Sequence, residues 1–263
     1  MGRRRHRAGP AVPGRRARLR CELNNPLYDD PQLAAAYARV TTGNVCNAAY
    51  ERPALRARLG AVAGFDVLDA GCAAGDHAAW LVAHGARVVA LDASAAMVAL
   101  ARARLGATAR VEQADLSRPV PFDDGAFDLV VCSLTLHYLA DWVPTLREFA
   151  RVLRRPGRLV LSTHHPFLTV DLVEDYDTVT LVEEGWTGFG DAPVPVRFYH
   201  RSLARILGEL AAGGFTLGEF EEVRPTLEAD ALDPELAARL RARPAFLVLD
   251  ARPTLEPTSP DRA

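Results

Sequence analysis

Short apolar runs recur through the middle of the chain, each followed by an alanine- and leucine-rich stretch whose apolar positions return every three to four residues. The runs at 67–70, 87–91, 109–113, 127–132 and 158–163 have the length and Val/Leu content of buried strands. The stretches at 76–84, 94–105 and 141–153 have helical spacing, with Leu146, Phe149, Val152 and Leu153 on one face of the last. Strand and helix alternating in this way predict successive parallel crossovers, an α/β architecture. Gly85 and Gly106 stand where helices end, Asp141 can cap the helix at 141–153, and Pro119, Pro121 and the Asp123-Asp124-Gly125 turn break the chain before the strand at 127.

Two helices precede this core. Pro31 is placed to start one, with Asp29 or Asp30 as cap, running from Leu33 to Val40 and ending near Gly43. A second covers 48–59, where Tyr50, Leu55 and Leu59 share a face. After the core come a helix at 201–212, strands at 215–223 and 245–251, and a helix at 234–242. Between 166 and 199 lies an insertion with two short strands, Thr178 to Val182 and Val194 to Tyr199, separated by Gly185, Gly188 and Gly190.

At 263 residues the chain suits one sizeable α/β domain with additions, and a net charge of -2 gives no general attraction to nucleic acid. No apolar run is long enough to span a membrane. Cys21, Cys46, Cys72 and Cys132 show neither C-x-x-C nor a framework spacing, which predicts reduced thiols and a cytoplasmic protein. The arginines from Arg3 to Arg20 sit among Gly, Pro and Ala with no apolar segment behind them. Residues 1–24 are therefore expected to form a disordered arm rather than a secretory signal.

The chemistry concentrates at Val67-Leu68-Asp69-Ala70-Gly71-Cys72-Ala73-Ala74-Gly75-Asp76, a strand, a glycine turn and the start of a helix. A second strand follows, ending in Asp92. This pair sets a nucleoside at the carboxyl ends of parallel strands. The turn lacks the G-x-G-x-x-G that cradles a pyrophosphate, and a P-loop is excluded because the chain contains no lysine. What remains is a nucleoside without a pyrophosphate. Here the sequence resembles the class I S-adenosylmethionine (SAM) methyltransferases, small-molecule type, whose first motif D-x-G-x-G-x-G is met by Asp69, Gly71 and Gly75, with Ala73 in place of the middle glycine. Val111-Glu112-Gln113-Ala114-Asp115-Leu116, the strand 127–133 with Leu134-Thr135-Leu136-His137-Tyr138-Leu139, and the segment from Arg151 to Ser162 resemble the later motifs, in family order.

The resemblance implies a Rossmann-like doubly wound sheet of seven strands in order 3-2-1-4-5-7-6, closed by an antiparallel hairpin from the strands at 215 and 245. It implies a core at 67–165 and 200–263 under an N-terminal helical cap at 25–66, with 166–199 as a lid or substrate insertion. SAM is the implied cofactor. Asp69, Gly71, Cys72 and Gly75 would shape its turn, Asp92 with Ala93 would hold the ribose, and Ala114, Asp115 and Leu116 with Met97 would hold the adenine. Ser133 would lie beneath the sulfonium, and Tyr37 would come from the cap.

Methyl transfer needs the nucleophile aligned with the methyl group, and a proton acceptor when the nucleophile is an alcohol, phenol, acidic carbon or ammonium. His164 and His165 after the fifth core strand, then His137 after the fourth, are the candidate catalytic residues. No metal site is expected, because adjacent histidines on a strand diverge and lack partners at ligand spacing. Phe167, Tyr176, Trp186, Phe189, Phe198 and Tyr199 in the insertion favour a small hydrophobic or aromatic acceptor, including a prenyl group whose methylation triggers cyclisation. Its many acids oppose nucleic acid. Two other classes are an RNA methyltransferase using the arginine arm, and a SAM-binding protein without turnover. The N-terminal helices can cover their own site or swap onto a second copy.

Overall fold

The computed structural model describes residues 25–254. The arginine-rich arm at 1–24 and Cys21 lie outside the described residues. Seven strands form one sheet: β1 (Asp66–Ala70), β2 (Arg87–Asp92), β3 (Arg110–Gln113), β4 (Phe127–Ser133), β5 (Leu153–His164), β8 (Phe215–Glu222) and β9 (Phe246–Pro253). Their order is β3-β2-β1-β4-β5-β9-β8, parallel from β3 to β5 and antiparallel across β5-β9-β8. The remaining two strands, β6 (Thr180–Trp186) and β7 (Val194–His200), pair with each other in a separate antiparallel hairpin. The sheet is the Rossmann-like arrangement expected from the sequence, and the hairpin fills the insertion.

The parallel strands are buried on both faces because helices cover each. On one side α4 (Asp76–Ala83) and α5 (Ala95–Leu105) lie with α3 (Arg52–Leu59) and α9 (Pro234–Ala242), packing Leu55, Leu59, Leu81 and Val98 on Val67, Val88 and Val131. On the other, α6 (Val143–Val152) and α7 (Leu203–Ala212) set Leu146, Phe149, Ile206 and Leu210 against Leu68, Val130 and Leu161. The apolar stripe of α6 lies inward as its spacing predicted, and Asp141 accepts from the Val143 N–H at its start. Cys72 and Cys132 are buried among these contacts as small hydrophobes.

In front of the core, α1 (Pro26–Asp29) and α2 (Pro31–Gly43) lead into a π-turn at Asn47–Glu51 and then α3. Asp30 caps α2 by accepting from Gln32 and Leu33 N–H, as the Asp-Pro start suggested. The second expected helix, 48–59, is thus two pieces: the π-turn widens its start and carries Glu51 inward to 1% exposure. A short α8 (Leu227–Leu232), beyond the helices expected from the sequence, precedes α9.

The cover and the hairpin share a third apolar cluster. Leu27 is fully buried with Val182, Val194, Val196 and Phe198, and Tyr28, Tyr37, Trp186 and Phe189 pack on them. Asn25 bonds the Arg197 backbone in both directions, donating to its carbonyl at 3.0 Å and accepting its N–H at 2.8 Å. The start of α1 is therefore held on the edge of β7.

Candidate cofactor and acceptor site

A cavity of about 500 Å³ opens at the carboxyl ends of β1, β2 and β4, beneath α1, α2 and the π-turn. Its inner wall begins with the turn after β1. Gly71 and Cys72 N–H both donate to the Leu91 carbonyl at 2.8 Å, tying this turn to the end of β2. Gly71 has φ +84°, and a Cβ on it would be driven into the Thr135 side chain. Ala73 also has positive φ, +46°, so it occupies a backbone state ordinarily left to glycine. Leu134, on the opposite wall, is the second such residue at φ +45°. Gly75 caps α4 and abuts Ala101 and Leu105, away from the cavity wall.

Asp92 accepts Ala73 N–H on Oδ2 (2.8 Å) and Ser94 N–H on Oδ1 (2.9 Å). Each oxygen keeps a free lone pair for a further donor. Burial raises its carboxyl above the usual range despite those two bonds. Asp69, 1% exposed, has no hydrogen bond on either oxygen, and burial pushes it up to about 6. Glu51 is the contrasting case. Burial alone would raise it, yet the His77 ring and hydroxyl donors from Ser162 (2.5 Å) and Ser133 (2.8 Å) hold it below the usual range. His77 Nε2 stands 3.5 Å from the second Glu51 oxygen.

Six carboxylates line the cavity: Asp29, Glu51, Asp69, Asp76, Asp92 and Asp115. Arg52 is the arginine on this wall, and it is already engaged by Asp76 at 3.1 Å and by the Thr41 carbonyl at 2.7 Å. Such a wall suits a cationic ligand with hydroxyls to donate. The outer rim is aromatic. Tyr28 and Tyr138 hydroxyls meet at 2.5 Å, and Tyr37 stands edge-on to Tyr28 with ring centroids 5.1 Å apart. Burial raises all three phenols, Tyr37 to about 12, so each stays a neutral donor near pH 7.

The residues predicted for the cofactor mostly converge here. Asp69, Gly71, Cys72, Asp92, Ala93, Met97, Asp115, Leu116, Ser133 and Tyr37 line the cavity; Gly75 and Ala114 stand behind it. The Ala114 N–H is spent on the Asp92 carbonyl at 2.9 Å.

The three predicted catalytic histidines are not on this wall. His165 has both nitrogens in use, Nδ1 accepting from Phe167 N–H and Nε2 at 3.0 Å from Glu222. His137 and His164 stack on each other 3.7 Å apart, against Phe198, with both nitrogens of His137 and Nδ1 of His164 unpartnered. Burial lowers both, His164 to about 3, so they are neutral packing rings. Sequence reasoning missed His77, although it lies two residues beyond the Gly75 of the motif. It also missed Glu51, for which no local signal exists.

A sheet in this order, with an acid-walled cavity at its switch point, defines an α/β protein whose ligand site suits a group bearing positive charge. Residues 68–161 match the family described as "Methyltransferase domain". The chain is 38% identical over 138 residues to demethylmenaquinone methyltransferase of Clavibacter sepedonicus; the match takes in 51% of this chain and spans about half of that relative, 55%. It is 31% identical to a malonyl-[acyl-carrier protein] O-methyltransferase of Enterobacter lignolyticus, over 71% of this chain and 72% of the other. A crystal structure of an S-adenosylmethionine dependent methyltransferase from Mesorhizobium loti superposes with TM-score 0.63 at 32% identity, covering 77% of this chain and 97% of that one. The chain belongs to the class I SAM-dependent methyltransferases, whose cosubstrate is SAM. The acid-lined wall and the unpartnered Asp69 fit a sulfonium nucleoside.

Proposed function

We propose that the protein transfers the methyl group of SAM to a small, hydrophobic or aromatic metabolite in the cytoplasm, as a step in small-molecule biosynthesis. The observation that carries this is one cavity with two kinds of wall: buried carboxylates on the sheet side and a tyrosine rim on the outer side. On this reading Asp92, with Ala93, takes the ribose hydroxyls on its free lone pairs. Met97, Asp115 and Leu116 bound the adenine, with Ala114 and Gly75 supporting from behind. Asp69, Gly71 and Cys72 shape the methionine end, and Ser133 lies on the sulfonium side. SAM supplies an electrophilic methyl carbon when bound. The chain's part is to align the acceptor with it and to exclude water, alignment being worth roughly 7–11 kcal/mol in favourable cases.

The cover at 25–66 acts in this reading as the roof of the site, with Tyr28 and Tyr37, joined by Tyr138 from behind β4, against the acceptor, while the hairpin of the insertion at 166–199 braces the cover from outside the cavity. Their protonated hydroxyls can donate to an acceptor oxygen but cannot serve as bases. His77 is the imidazole on the wall, and in this reading it, rather than His164, His165 or His137, accepts the proton. Glu51 orients it.

The reading is tested by incubating the full chain with methyl-labelled SAM and a panel of hydroquinones, phenols, carboxylic acids and prenyl compounds, with transfer RNA alongside. Label appearing in an apolar small molecule is the expected result. Label appearing in RNA alone, or in nothing while SAM binds, contradicts it.

A further inference from the structure

The two carboxylates most deeply set in the cavity wall come from different parts of the molecule. Asp69 belongs to β1, whereas Glu51 is brought in by the cover, on the π-turn at Asn47–Glu51; each is 1% exposed. Glu51 reaches across to the ends of β4 and β5, where Ser133 and Ser162 donate to one of its oxygens. Its other oxygen has only the His77 ring, 3.5 Å away. The nearest arginine in sequence, Arg52, is occupied by Asp76 and the Thr41 carbonyl. The Ser133 and Ser162 hydroxyls hold Glu51 as a carboxylate on the cavity wall, so a cation placed in the cavity beside it is attracted.

Methyl transfer changes the charge of the cosubstrate. The S–CH3 bond breaks with its electron pair staying on sulfur, the acceptor's nucleophile forms the new bond to carbon, and any proton on that nucleophile passes by way of His77 to solvent. A sulfonium cation thereby becomes a neutral thioether. We propose that Glu51 makes the cover respond to this loss of charge: the cover is held down while the sulfonium is present and is released once the thioether has formed. The inference rests on the methyl-transfer reading of the same cavity. It makes Glu51 a specificity-determining residue that favours donor over spent product, and it links product release to the segment from α1 to α3.

The test uses the full-length chain, SAM and S-adenosylhomocysteine, with no acceptor needed. Calorimetric titration of both ligands is done on wild type and Glu51→Gln, whose amide oxygen still accepts from Ser133 and Ser162. The ratio of SAM to S-adenosylhomocysteine affinity should fall about tenfold in the variant, as expected for one unit charge lost a few ångströms from a cation at a protein-like dielectric. In wild type at saturation, amide exchange across residues 26–59 should be slower with SAM than with S-adenosylhomocysteine. That difference should vanish in Glu51→Gln. An unchanged affinity ratio, or equal exchange with the two ligands, overturns the proposal. If Glu51→Gln does not fold, the wild-type exchange comparison decides alone. Failure of wild type to bind either ligand overturns the methyl-transfer reading itself, a separate outcome.

Discussion

At the scale of single residues, the cavity wall holds backbone states that side chains resist. Ala73 at φ +46° carries a penalty of roughly 1–2 kcal/mol for a left-handed L-residue. Replacing it with glycine removes that penalty while adding some unfolded-chain entropy, so Ala73→Gly should be neutral or stabilising by up to about 1 kcal/mol in urea unfolding. A clear loss of stability would refute the strain argument. Gly71→Ala should behave oppositely, losing about 2–3 kcal/mol, because its Cβ has no space beside Thr135 and its φ is positive. The glycine pattern was legible in the sequence because turn geometry is local. Which histidine faces the cavity was not. His137 and His164 meet because β4 and β5 are neighbours in a parallel register, and each then loses its charge to burial rather than to sequence context. Glu51 was equally hidden, since its partners Ser133 and Ser162 lie 82 and 111 residues away.

Among elements, the cover and the hairpin are bound to one another as well as to the core. Leu27 is buried in the hairpin's cluster, and Asn25 serves as an extra rung on β7. Asn25→Ala deletes two hydrogen bonds to the backbone, each worth about 1 kcal/mol net. Amide exchange should accelerate across both 26–43 and 194–200 with little change in β1 to β5. Acceleration confined to one of the two segments would mean that they move independently. The core strands and helices were predictable to within a few residues, because parallel strands buried on both faces read as apolar runs. The irregular parts were less so. The π-turn is set by the tertiary placing of Tyr50 and Glu51 in the interior, and α8 is too short to carry a helical period. The hairpin's two strands were visible in Thr178 to Val182 and Val194 to Tyr199, but nothing in them told that α1 would complete their apolar face.

Over the whole molecule, burial of titrating groups shapes the response to pH in two opposed ways. Asp69 titrates near 6 in the fold against 3.8 unfolded, so the native state holds its proton longer and stability falls as pH rises from about 4 to about 6. His164 titrates near 3 against 6.5, and His137 shifts the same way. The unfolded state therefore takes up their protons first, and stability falls as pH drops below about 6.5. Asp69→Asn should raise the stability of the ligand-free protein at pH 7, on the order of 2 kcal/mol, and remove its share of the slope between pH 4 and 6. His164→Phe should flatten the acid side and leave the neutral side in place. Melting temperatures of the three proteins across pH 4 to 8 check both signs, and parallel curves would contradict the assignment of charge states.

Asp69 and Asp92, whose burial weighs on the empty fold, face the cavity in which SAM is proposed to sit with its ribose on Asp92. The measurement that tests this placement most directly is a calorimetric titration of SAM into wild type and Asp92→Ala. Wild type should bind in the micromolar range, about −8 kcal/mol, and the variant should lose binding while staying folded. Absence of binding to wild type, or equal binding to a folded Asp92→Ala, would contradict it.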